Sequence, residues 1–140
     1  MIVKQVSVFV ENTVGRLADL TKILTDNNID LKASTIAETV DFGILRCIVE
    51  DPEKTVKILV ENGFSASISE VTGVSLEDKP GGLHKVLAVL AEAGIAVNYI
   101  YSTIKSAEGK AIIMMKTSDA AKAEEVLKAS GVELAGAESF

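Results

Sequence analysis

The chain has 140 residues, 48% of them hydrophobic and 24% charged, with a formal net charge of −6. That supports one ordinary domain or two very small ones around an aliphatic core, since aromatics are only 4%, and argues against wholesale disorder. The acidic balance, with no Lys/Arg cluster, speaks against nucleic acid or an anionic membrane as partner, because both need a basic surface.

In chain order, "VKQVSVFV" alternates, with Val6, Val8 and Val10 on one face and Ser7 and Phe9 on the other, which predicts a strand. "RLADLTKILTDN" carries Leu17, Leu20, Ile23 and Leu24 at helical spacing, and Asp26, Asn27 and Asn28 stop it. "IDLKASTIAE" and "FGILRCIVE" predict two strands with a turn around Thr39 to Asp41. "PEKTVKILVENG" is a helix with Pro52 in its first turn and Gly63 just past its end. "FSASISEV" runs almost directly into the strand "VTGVSLE". The helix "GGLHKVLAVLAEAG" comes next, capped by Gly94. Strands "IAVNYIYSTIK" and "GKAIIMMK", the helix "DAAKAEEVLKASG" and a strand "VELAGAES" complete the chain.

The second half repeats the first. Glu11 aligns with Glu77, Gly15 with Gly81, Leu17 with Leu83, Leu24 with Leu90, Ile29 with Ile95 and Gly43 with Gly109; later Gly63 aligns with Gly131, two residues out of step. The slip places a short insertion around "TSDAAK". The expected fold is α+β: two tandem ferredoxin-like βαββαβ units, each an antiparallel four-stranded sheet with two helices on one face. The units cover residues 1–70 and 71–140, and without a flexible linker they are expected to pack as a rigid pair. Units of about 70 residues lie near the lower limit of independent stability, so pairing between copies or chains would help them.

Both copies place glycine at a helix start. First-turn amides lack intrahelical partners and carry the positive end of the helix dipole, which suits a carboxylate. Gly81 and Gly82 put no Cβ in a ligand's way, Pro80 fixes the loop, and Asp78 offers an acceptor to an ammonium. A free amino acid has both groups. The plainer alternative is that Asp78 caps the helix or belongs to a Pro-Gly turn.

"EDKPGGLHKVLAVLAEAGIAVNYI" resembles the start of an ACT domain, a small regulatory βαββαβ module whose first loop reads Asp-x-Pro-Gly-x-Leu; Asp78, Pro80, Gly81 and Leu83 match it. The first copy departs, with Asn12 for Asp and Val14 for Pro, while keeping Gly15 and Leu17. The resemblance implies an amino acid or similar zwitterion bound between paired domains, by the first loop of one and the second-strand region of its neighbour. Carried over, the loop residues are Asp78, Pro80, Gly81, Gly82 and Leu83, and Asn12, Val14, Gly15, Arg16 and Leu17. The strand contributions fall near Asp30 and Leu31, or Ala96 and Asn98. Arg16 is either a carboxylate ligand or a solvated helix residue.

The remaining chemistry is sparse. Cys47 and His84 are the only cysteine and histidine, which leaves no disulfide, no multi-cysteine metal site and no triad; no cofactor, metal or catalytic residue is expected. Cys47 reads as a buried apolar residue equivalent to Ile113, and His84 as an exposed helix residue or a contact at the site rim. "MIVKQVSVFVEN" lacks the pattern of a signal peptide, and no apolar run is long enough for a membrane span, so a cytoplasmic protein is expected. The leading expectation is a stand-alone amino-acid-binding regulatory protein, a homodimer that modulates an enzyme of amino-acid metabolism. The alternative is a structural pairing module without ligand.

Overall fold

The computed structural model describes residues 2–103 and 108–139. The chain divides into two compact units, Lys4–Ser69 and, together with Met1–Val3, Glu70–Phe140. The first is built from β1 (Ile2–Glu11), α1 (Arg16–Asp26), β2 (Ala33–Glu38), β3 (Phe42–Ile48), α2 (Pro52–Glu61) and the start of β4 (Ser65–Glu77). The second takes the rest of β4, then α3 (Gly82–Glu92), β5 (Val97–Ser102), β6 (Lys110–Thr117), α4 (Ala120–Ala129) and β7 (Glu133–Leu134), followed by a 3-10 turn over Ala137–Ser139.

Strand order is β2-β3-β1-β4 in the first unit and β5-β6-β4-β7 in the second, and each pairing within β1/β3, β2/β3, β4/β6, β5/β6 and β4/β7 is antiparallel. Each unit is therefore the expected ferredoxin-like βαββαβ arrangement in an α+β fold. The alternation in β1 does what its period demands: Val6, Val8 and Val10 enter one core with Leu45, Cys47 and Val49, under Leu20, Leu24 and Leu59 of the two helices. The second core repeats this with Val74 and Met115 beneath Val86, Leu90, Ala123 and Leu127. On the other face of the first sheet, Ile48 is buried and Ile44 half-buried, whereas Phe9 is exposed.

Among the described residues the four α-helices stop in the same way. The residue two past each end is left-handed: Asn28, Gly63, Gly94 and Gly131, with φ of 55°, 86°, 73° and 77°. The next amide reaches back five residues, Ile29 to the Leu24 carbonyl, Phe64 to Leu59, Ile95 to Leu90 and Val132 to Leu127, at 2.8, 3.0, 2.9 and 3.0 Å. Each of these donors is apolar and packs onto its core, the usual companion of such a stop.

Three expectations need correction. Register pairs Glu11 with Phe42 and Glu77 with Lys110, so the two-residue slip lies in the connection between β5 and β6, not around "TSDAAK". Gly43 therefore corresponds to Ala111 and Cys47 to Met115, rather than to Gly109 and Ile113. The final strand shrinks to Glu133–Leu134: Gly73 has no Cβ, the Ala135 carbonyl lies 2.2 Å from where one would stand, and pairing ends with the Ala135 amide on the Gly73 carbonyl at 2.9 Å. The strand expected over 95–105 is observed as Val97–Ser102, and positions 104–107 lie outside the described residues.

Candidate functional site

The two loops that lead out of β1 and β4 are built bond for bond alike. In the first, the Thr13 amide donates to the Glu11 carbonyl at 2.8 Å, Arg16 to Thr13 at 3.3 Å and Asp19 to Gly15 at 2.9 Å. In the second, Lys79 donates to Glu77 at 2.9 Å, Gly82 to Lys79 at 3.0 Å and Lys85 to Gly81 at 3.1 Å. Gly15 and Gly81 turn the chain into its helix at φ 84° and 89°, a conformation that side chains resist. The loops are tied to the neighbouring turn through Asn12 to the Asp41 carbonyl at 3.0 Å and Asp78 to the Gly109 carbonyl at 2.8 Å.

The helices that these loops open, α1 and α3, begin differently from α2 and α4. Asp51 and Asp119 cap α2 and α4, each carboxylate accepting the amide three residues on at 3.0 Å. Neither α1 nor α3 has a side-chain cap hydrogen bond. Their first-turn amides, at Leu17 and Ala18 and at Leu83 and His84, are left for an outside acceptor.

A hollow lies at each of these starts. The first, about 220 Å³, is lined by Val10, Glu11, Asn12, Thr13, Leu17, Ile36, Glu38 and Gly43. The second, about 390 Å³, is lined by Leu76, Glu77, Asp78, Lys79, Leu83, Ser102, Thr103, Ala111, Ile112 and Ile113. By the observed register, Val10 matches Leu76, Asn12 matches Asp78, Leu17 matches Leu83, Ile36 matches Ser102 and Gly43 matches Ala111. They are one hollow written twice with different linings. In the first, Ile36 fills space that Gly43 leaves: a Cβ there would stand 3.0 Å from its methyl. In the second, Ser102 replaces Ile36 and opens the wall. The strand residues in both hollows carry no sequence motif; the pairing of β3 with β1 and β2, and of β6 with β4 and β5, brings them to the loops.

Several loop residues have a further role inside the fold. Arg16 is held by its own unit: Nε donates to Glu11 Oε2 at 2.6 Å, and the guanidinium lies over the Phe64 ring. The Arg16 hydrogen bond holds the Glu11 carboxyl below its usual range. Gly82 is buried, and a Cβ there would come within 2.1 Å of the Glu77 carbonyl oxygen, so close packing alone requires glycine. Val14, Pro80 and Asp78 are exposed, as is His84; Leu17 is 40% exposed, outside the core that Leu20 and Leu24 enter.

The strand-region residues do not join the loop of their own unit. Asp30 lines another hollow beyond the far end of α1, together with Asn28, Lys32 and Asp51, while Leu31 packs onto the first core. Ala96 exchanges backbone hydrogen bonds with Ser118, accepting from its amide at 2.9 Å and donating to its hydroxyl at 3.1 Å. Asn98 is exposed at the bulge where β5 slips against β6. Among the described residues no group of three or more His, Cys, Asp or Glu is placed to hold a metal ion, and no described helix is long and apolar enough to cross a membrane.

Tandem βαββαβ units with glycine-turned, uncapped first helices define a class of paired ferredoxin-like modules. The family model for the ACT domain pair matches residues 1–138, and the chain belongs to that family. It is similar to the crystal structure of protein BT0572 from Bacteroides thetaiotaomicron, at 42% identity and TM-score 0.92, over 99% of this chain and 95% of that one. The regulatory subunit of aspartate kinase from Thermus thermophilus, in its ligand-free form, shares the fold at 15% identity and TM-score 0.66, over 91% and 90% of the two chains. That from Thermus flavus does so at 16% identity and TM-score 0.64, over 91% and 90%. No curated protein matches the sequence.

Proposed function

We propose that this ACT domain pair is a non-catalytic, cytoplasmic regulatory protein that binds an amino acid or similar small zwitterion at its glycine-turned loops. The duplicated hollow at an uncapped helix start carries the reading: two helices cap a first-turn amide with their own aspartate, and the two that follow the glycine-turned loops have no side-chain cap. A ligand carboxylate completes the α3 turn at the Leu83 and His84 amides, and Asp78 receives the ammonium. The loop set is Asp78, Pro80, Gly81 and Leu83, with Asn12, Val14, Gly15 and Leu17 as its counterpart; Arg16 and Gly82 support it from within. The second site is the stronger, because Asn12 brings no charge to an ammonium and the first hollow is smaller.

The same reading includes a homodimer, in which a second chain brings Asp30 and Leu31, or Ala96 and Asn98, towards a loop. The partner is an enzyme of amino-acid metabolism, in keeping with a fold shared with regulatory subunits of aspartate kinase. Ligand acts on that partner only through a difference in affinity between two arrangements.

Calorimetric titration against the twenty amino acids tests this. At least one binds saturably, and Asp78→Ala weakens it about tenfold or more, the loss of one charge-assisted hydrogen bond. If none binds, the ligand-free pairing module takes its place. The Gly82 contact favours that second reading, since it explains one of the two adjacent loop glycines without a ligand.

A further inference from the structure

In the first unit, the space between α1 and the turn from α2 into β4 holds the protein's own cation: Arg16 lies over Phe64 and pairs with Glu11. The observed register puts Gly82 in the place of Arg16 and Val132 in the place of Phe64. There the second unit has a cavity of about 650 Å³, with Leu76, Val86, Val89 and Val132 among its walls. It shares Leu76, Glu77 and Lys79 with the hollow at Asp78 and is also lined by the loop residues Pro80, Gly81 and Gly82, but α3 and the turn from α4 into β7 close it, with Lys110 its one residue from β6.

Charge has changed along with shape. Thr13, Asp19, Phe42 and Ser65 of the first unit correspond to Lys79, Lys85, Lys110 and Glu133 of the second, all of them lining the cavity. An acidic surround for a built-in cation has become a net positive rim. Lys79 is paired with Glu77 and Lys110 with Glu133, both at 2.5 Å. Among the described residues Lys85 forms no ion pair, although its field reaches Glu77. The cavity thus offers an uncommitted cation beside aliphatic walls, and both its carboxylates are already taken by lysines.

We propose that this cavity binds a small monocarboxylate with an aliphatic body, its carboxylate at Lys85 and its body against Val86, Val89 and Val132. Both carboxylates that line the cavity are paired with lysines, so the site favours a carboxylate over an ammonium and differs in ligand class from the loop hollow.

The test is an NMR titration of the intact, ¹⁵N-labelled chain with isovalerate, with isoamylamine of the same carbon skeleton, and with leucine. Isovalerate is expected to give saturable shifts at the Lys85, Gly131 and Val132 amides, and the amine none there. Val132→Phe and Lys85→Asp, which restore the first unit's residues, each weaken isovalerate at least tenfold, while Asp78→Ala leaves it unchanged. The proposal is overturned if isovalerate does not saturate, if the amine binds equally well, or if both cavity variants bind like the parent. Loss of amino-acid binding in Asp78→Ala bears on the loop reading alone, so the two sites fail separately.

Discussion

The guanidinium of Arg16 lies 3.9 Å from the centroid of the Phe64 ring, 48 residues away in sequence, and the same side chain binds Glu11. Arg16→Met keeps the apolar stem and removes both interactions. The cation–π contact accounts for about 1 kcal/mol of stability, to be read from the shift of the urea midpoint. The Glu11 pair adds a pH dependence. Its carboxyl is depressed in the folded state, so its contribution is present above the ordinary carboxylate range and is lost as pH falls through the lowered value. The gap between parent and variant should therefore narrow on the acid side. A gap that stays constant into that range rules out the ion pair as a contributor.

Two adjacent glycines should respond to alanine for different reasons. At Gly82, alanine ordinarily favours a helix by up to about 1 kcal/mol, but its methyl would meet the Glu77 carbonyl, and we expect a net loss of about 1–3 kcal/mol. At Gly81 the space is open and the cost is conformational, about 1–2 kcal/mol for an L residue at φ 89°. Asparagine, which tolerates that region, should recover part of the loss at 81 and none at 82. Thermal melts of the four variants decide it.

Aspartates at three loop-to-helix junctions look alike in sequence and differ in the structure. Asp51→Ala and Asp119→Ala each remove a cap and should cost about 1 kcal/mol. Asp78→Ala removes no cap, so the melting temperature should hold while amino-acid binding falls. A destabilised Asp78→Ala protein would mean that this carboxylate serves the fold.

Burial pushes the Cys47 thiol up to about 12. It is therefore neutral throughout the neutral range, and the thiolate that reacts is scarce. Disulfide-exchange reagents should label the folded chain only as fast as the first unit opens, and denaturant should make labelling immediate. Rapid labelling at neutral pH under native conditions would contradict this burial.

Much of the architecture was legible because period and punctuation agree. Val6, Val8 and Val10 alternate, Leu20 and Leu24 recur at helical spacing, and Asn28, Gly63, Gly94 and Gly131 close all four helices. What escaped was set by contacts distant in sequence. Nothing local says that Phe64 lies under Arg16. Only strand register reveals that the repeat slips between β5 and β6. The last strand was overextended because "VELAGAES" has a strand's composition, while its end is fixed by how closely Ala135 passes Gly73. For the site, the loops could be read from the motif, but their walls, Ile36 and Gly43 or Ser102 and Ala111, come from pairing.

Unequal capping also divides the helices by the lifetime of their first amides. Where a carboxylate already occupies the turn, at Lys54 and Lys122, a proton must wait for that bond to break before it leaves for solvent. At Leu17 and Leu83 nothing comparable delays it. Deuterium should therefore enter α1 and α3 at their tips well before α2 and α4, giving a clock within one chain that slows only where something has docked.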